Sequence, residues 1–168
     1  MPDEQIDAGD AFRRLKESLG SLMLCWCRLE DAVNASFRSA AIEKTMNIGN
    51  SLGEKLTALE SRLLGKASAD DFRTREIREL FNRVDDIRRR RNLIVHCLSG
   101  VSADPAKGEP HILCVQGSAD KMKSTKITQT ELIELCDGIE RSRRDIELVD
   151  FSTRAPSNER TGRPLSGR

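Results

Sequence analysis

Apolar residues recur along this chain in steps of three and four, and that spacing excludes most sheet architectures at the outset. Phe12, Leu15, Leu19, Leu22, Trp26, Leu29, Val33 and Ala40 keep the step for about eight helical turns. A strand would alternate every second residue. The spacing predicts a helix from about Asp10 to Thr45, with Gly20 inside it at a modest cost in helix propensity. A second long pattern follows. Ile77, Val84, Arg91 and Leu98 lie seven apart, and Leu80, Ile87 and Ile94 form the companion row. The two rows make one apolar face of another helix.

Arg91 is the anomaly in that face. A guanidinium keeps its charge and is costly to bury without a partner, so a position needed only for packing favours Leu or Ala. Two carboxylates are candidate partners. Glu30 lies between Met23 and Phe37 in a row beside the apolar stripe of the first helix, where a carboxylate itself needs a cation. Asp86 is the other candidate. Beside the apolar face, Asp85, Arg89, Asn92 and His96 are spaced by four, three and four and share a polar stripe. Arg91, Asn92 and His96 therefore occupy adjoining faces of one helix. His96 falls in its last turn, where the helix dipole favours a protonated imidazole.

The run Arg91-Asn92-Leu93-Ile94-Val95-His96 resembles the catalytic motif of the HEPN superfamily, the all-helical domains of many prokaryotic ribonucleases and toxins. That motif is an Arg, a polar residue such as Asn, and a His a little further along; here four residues intervene. The resemblance extends in helix layout over about residues 15–149 and is sharp only in the motif. It implies a metal-independent endoribonuclease that leaves a 2′,3′-cyclic phosphate. It also implies a homodimer whose two motifs face each other. The residue chemistry agrees. His96 is suited to move the proton of the 2′-hydroxyl near neutral pH. Arg91 offers fixed donors where charge grows on the phosphate. Asn92 holds a phosphate oxygen or orients His96. In the run Arg88 to Arg91, consecutive residues cover the whole helix circumference, so only some reach RNA. Arg89 shares the stripe of Asn92 and His96 and is the candidate for RNA-backbone binding. A solvated face balanced by Asp85 and Asp86 is the competing reading. Glu30 is read as a supporting ion-pair partner rather than a catalytic acid.

Composition narrows the classes further. With 168 residues the chain is expected to form one domain. Charged residues make up 33% and aromatics 4%, with one Trp and no Tyr, which suits a helical bundle with a charged surface. The net charge of +1 gives no overall field toward nucleic acid, so any RNA contact is local. Five cysteines without a Cys-x-x-Cys pair argue against a disulfide framework and for a reducing, cytoplasmic setting. Cys97 beside His96, with Cys25 and Cys27 distant, matches no usual zinc spacing. No metal or cofactor is expected, and no signal peptide or membrane-spanning run is apparent.

The remaining punctuation sets the organisation. Residues 1–9 read as a leader. Asn47 to Asn50 break the first helix. Ser51 to Glu54 and Ser68 to Asp71 have capping-box spacing and open a short helix with Leu52, Leu56, Leu59 and Leu63 inward, then the long one. Gly65 stops the short helix and Ser99-Gly100 the long one, after about Leu98. Val101 to Pro110 is turn-rich. His111 to Gln116 and Lys121 to Thr128 read as the two strands of a hairpin with a turn at Gly117 to Asp120, inserted over about 101–127. His111 is read as incidental. Thr128 to Glu131 caps a last helix that turns Leu132, Leu135, Ile139, Ile146 and Val149 inward, with Gly138 as a weak point. A basic tail follows over 152–168.

The expected fold is thus all-α: a HEPN-like antiparallel bundle of four main helices over 10–151, with a small β-hairpin before the last. The expected function is a ribonuclease acting on tRNA or mRNA, a toxin or defence effector with an antitoxin protein as a further partner. The alternative is a non-catalytic HEPN-like dimer that binds a partner protein or nucleotide. A helical regulator that binds nucleic acid without cutting it is disfavoured by the near-neutral charge.

Overall fold

The computed structural model describes residues 7–39, 51–65, 72–104, 108–118 and 121–154. Four helices dominate it: α1 (Ala8–Ser39), α2 (Leu52–Leu64), α3 (Phe72–Cys97) and α4 (Gln129–Arg154). Three strands stand between the last two: β1 (Leu98–Ser102), β2 (His111–Gln116) and β3 (Lys123–Thr128). No described helix is long and apolar enough to cross a membrane.

The three-and-four spacing of α1 becomes its buried stripe. Leu15, Leu22, Leu29 and Val33 are fully buried and Trp26 nearly so. The stripe starts one residue earlier than the sequence pattern placed it. Ala11 is inside, while Phe12 is 41% exposed with the Lys16 ammonium 4.8 Å from its ring centroid. α1 has its most extensive contact with α4, whose Leu132, Ile139 and Ser142 are also fully buried. Burying one such leucine or isoleucine contributes about 1.5–3 kcal/mol.

α3 and α4 run antiparallel, as their cross-contacts require. Ile87 faces Gly138, while Arg83, one turn earlier, reaches forward to Ser142 and Asp145. Arg83 Nε donates to the buried Ser142 hydroxyl at 3.1 Å, so that core hydroxyl has a partner. Both rows read from the sequence of α3 are inside: Ile77, Leu80, Val84, Ile87 and Ile94. Leu98, the row's expected last member, is 45% exposed because the helix has ended and the residue belongs to β1. α2 bridges α1 and α3, and Lys55 Nζ donates to Asn34 Oδ1 of α1 at 2.9 Å.

Two capping boxes form where the spacing put them. The Ser51 side chain accepts from Glu54 N–H, and the Glu54 carboxylate accepts from Ser51 N–H. Thr128 and Glu131 do the same at the start of α4, with bonds of 2.8 and 3.2 Å. That end is stapled twice more: Thr130 N–H donates to Glu109 Oε1 and Gln129 N–H to the Pro110 carbonyl. The Thr130 bonds hold the Glu109 carboxyl below its ordinary value. The break at Asn47 to Asn50, the Ser68 to Asp71 capping box, residues 40–45 of the first helix and residues 155–168 of the tail lie outside the described residues. α4 itself continues to Arg154, past the point where the tail was expected.

The inserted hairpin is a three-stranded sheet. Its order is β1-β2-β3 and both pairings are antiparallel. The stretch read as a helix stop followed by turns is strand β1, which follows α3 without a connecting residue. Taken alone Ser99 and Gly100 signal a break, but both have a role in the sheet. The Ser99 hydroxyl donates to the Leu113 carbonyl at 3.1 Å, and the register shifts between Leu98 and Gly100. A third strand gives the insertion the minimum breadth at which a small sheet holds its shape. Ile112 and Cys114, two residues apart on β2, are fully buried on the bundle side. His111 is also buried, and its Nδ1 donates to the Glu109 carbonyl at 2.9 Å.

Three glycines make the backbone testable. A Cβ at Gly20 meets nothing within 4 Å, and one at Gly138 meets only Ile87 Cδ1 at 3.6 Å. Gly20→Ala and Gly138→Ala should each raise stability by about 0.5–1 kcal/mol in urea unfolding. Gly117 has φ +119°, and a Cβ there would lie 2.0 Å from the Lys121 carbonyl oxygen. Gly117→Ala should therefore lower stability by more than about 1 kcal/mol.

Candidate functional site

The last two turns of α3 carry the residues singled out by the sequence. Ile87 and Ile94 anchor one side of the helix in the core. Their phase fixes where every neighbour points. Asn92 is half-buried and His96 exposed, and they stand one turn apart on the same side. His96 lies in the last turn and makes no hydrogen bond with any described residue. Its ring is exposed.

The arginine run fans around the helix. Arg88 turns toward α2, where its guanidinium carbon lies 3.9 Å from the place a Gly53 Cβ would take. Its Nε and Nη2 both donate to Asp85 Oδ1, at 2.9 and 2.7 Å. Arg89 reaches the other Asp85 oxygen at 2.8 Å and is 72% exposed. This exposed pair contributes only about 0.3–0.5 kcal/mol, so a phosphate can displace it at little cost. Arg90 points to solvent.

Arg91 turns inward, toward α1. The expected carboxylate partners are not the ones it meets: it forms no ion pair with Glu30 or Asp86. Glu30 is half-buried on α1 and Asp86 is exposed. The Arg91 guanidinium carbon instead lies 5.3 Å from the ring centroid of Trp26. A desolvated cation–π contact of this kind is worth up to about 2 kcal/mol. Arg91 Nη1 also donates to Asn92 Oδ1 at 3.3 Å, so two members of the motif touch directly. Arg91 Nε and Trp26 Nε1 are both buried and have no acceptor among the described residues.

Trp26 is the residue that sequence reasoning left out of the site. It was visible only as one more apolar member of the α1 stripe. The available signal was the coincidence of the chain's single Trp and a core-facing Arg, a pairing that indole faces favour.

Beyond His96 the surface turns apolar. Val95, Leu98 and Val101 are each more than 40% exposed, and β1 is an edge strand without a charge. The opposite edge, β3, carries Lys123 and Lys126. A cleft of about 600 Å³ lies far off, between the start of α3 and the end of α4, with Ile77, Leu80 and Leu148 in its wall. It contains none of Arg91, Asn92 and His96. Among the described residues no three His, Cys, Asp or Glu side chains come together as a metal site. All five cysteines are free. Burial pushes the Cys136 thiol up to about 11, helped by its neighbour Cys25.

The Asp85 carboxyl is held below its ordinary value of 3.8, first by the Arg88 hydrogen bond and then by the charges of Arg88 and Arg89. A lowered value stabilises the fold above the ordinary carboxylate range and loses that contribution as pH falls through the lowered value. Wild type should therefore exceed Asp85→Asn in stability by at most about 1 kcal/mol near neutrality. That gap should close as urea unfolding is repeated down through and below pH 3.8.

Comparison of the chain with protein-family models, with curated proteins and with solved structures returned no match, so the reading of this site rests on its own residues.

Proposed function

We propose that this protein is a HEPN-like, metal-independent endoribonuclease that acts as a homodimer. The observation that carries the reading is the joint placement of a cation, an amide and an exposed imidazole, unpartnered among the described residues, on the last turns of α3. Arg91 touches Asn92, and His96 stands exposed one turn beyond Asn92. In the proposed reaction His96 takes the proton of the 2′-hydroxyl, and the oxygen attacks the adjacent phosphorus. The bond to the 5′-oxygen breaks, that oxygen takes a proton from water, and the products are a 2′,3′-cyclic phosphate and a 5′-hydroxyl. Arg91 stabilises the charge that builds on the phosphate oxygens. Arg89 gives up its surface pair with Asp85 to hold the RNA backbone.

The homodimer is favoured by the surface next to His96. Natural edge strands are commonly guarded by charge, lysine above all. β3 has that guard and β1 lacks it. Antiparallel pairing of β1 with β1 of a second copy is self-complementary and brings two His96 side chains to one seam. The alternative reading, a dimer of the same shape that binds a partner protein or nucleotide without cutting RNA, uses the same surface. No feature of the described residues points to a particular antitoxin.

Purified protein incubated in chelator with end-labelled tRNA and a long mRNA should yield fragments with cyclic-phosphate ends. His96→Ala should cut at least about 100-fold more slowly while remaining folded. Equal silence from wild type and His96→Ala would leave the non-catalytic dimer as the better reading. Val101→Lys should shift the protein from dimer to monomer in sizing chromatography; an unchanged elution would rule out the β1 seam.

A further inference from the structure

Arg91 differs from the other half-buried arginines in what holds it. Arg88 and Arg143 lie against carboxylates, Asp85 at 2.7 Å and Glu140 at 3.0 Å. Each thereby faces an opposite charge. Arg91 lies over Trp26 instead. An indole face attracts a cation through its quadrupole and leaves the net charge in place. A carboxylate in the same position would compete with any incoming anion.

The hydrogen bonding is one-sided in the same way. The Asn92 carbonyl oxygen takes one Arg91 N–H. Arg91 Nε and Trp26 Nε1 then remain as two buried donors with no acceptor among the described residues, and Trp26 is only 2% exposed. Buried donors are nearly always satisfied. Here two fail at one contact between α1 and α3, beside an unneutralised cation. Any oxygen acceptor would satisfy these donors, and an anionic one would also meet the cation.

We infer that Trp26 is a positioning residue of an oxyanion seat, and that the group seated there is a phosphate. The indole face fixes the guanidinium plane at the end of α3. An arriving phosphate draws the guanidinium edge toward itself and accepts the spare N–H groups of Arg91 and Trp26. This inference rests on the ribonuclease reading for its RNA phosphate, while the seat itself does not require cleavage.

Trp26 is the chain's one tryptophan, so its emission reports the seat directly. The probe is a short single-stranded RNA methylated on its 2′-hydroxyls, which binds and cannot be cut; inorganic phosphate is the second probe. RNA should change the emission saturably, and added salt should weaken the effect. The response should persist in His96→Ala and vanish in Arg91→Leu. Trp26→Phe, shown to be folded by circular dichroism, should bind the labelled RNA about three- to tenfold more weakly by anisotropy. Arg91→Lys, which keeps the charge without the planar fork, should bind with a similar loss. Millimolar phosphate that reproduces the emission change in the absence of any RNA binding or cleavage would support the seat and end the ribonuclease reading. RNA that binds with unaltered emission, and equally well to Trp26→Phe, would overturn the seat. Unaltered emission with both probes would overturn it too, whatever the cleavage assay gives.

Discussion

The contact between α1 and α4 sets the frame from which everything else takes its position. Leu22 and Leu29 on one helix and Leu132 and Ile139 on the other are completely buried. α3 lies antiparallel on α4, with Ile87 set over the hydrogen of Gly138. Once Ile87 and Ile94 are seated, helix geometry leaves no freedom in the direction of the residues between and beyond them. Arg91 must then point at α1, and His96 must emerge at the helix end. The candidate site is therefore a by-product of core packing, built on rigid elements rather than on a loop.

Charge is distributed with the same thrift. One carboxylate, Asp85, holds both Arg88 and Arg89. Glu140 engages Arg28 and Arg143, which also reaches Glu147. Most of these pairs lie along or between helix surfaces, where they contribute little to stability. They do decide which cations remain available. The arrangement places Arg88 and Arg89 on a carboxylate, Arg90 in solvent and Arg91 on an aromatic ring.

Local signals in the sequence carried a long way. The apolar period located all four helices, and the Ser-x-x-Glu and Thr-x-x-Glu spacings located two of their starts, because caps and periodicity act over only a few residues. Strand β2 was legible from its apolar run. Strand β1 was not, since Ser99 and Gly100 signal a stop when taken alone and join a sheet only when β2 is there to receive them. The site was legible to the same depth. Arg91, Asn92 and His96 stood out through their places on one helix. The seat of Arg91 did not, because charge reasoning favours a carboxylate and the residue that meets it comes from α1 by tertiary packing. Phe12 and Ala11 exchange roles for a similar reason: the helix phase is set by its partners, and hydrophobicity alone does not fix it.

The passage from Cys97 to Leu98 changes helix into strand with no linker between them. Two different periodicities meet there, one of 3.6 residues fixed by the packing of α3 and one of two fixed by the pairing of β1 with β2. One residue added at that joint would send every β1 side chain to the opposite face of the sheet while leaving His96 where it is. The joint thus works as a gearing between bundle and sheet. Chain length at this joint therefore sets which side chains of β1 face the bundle.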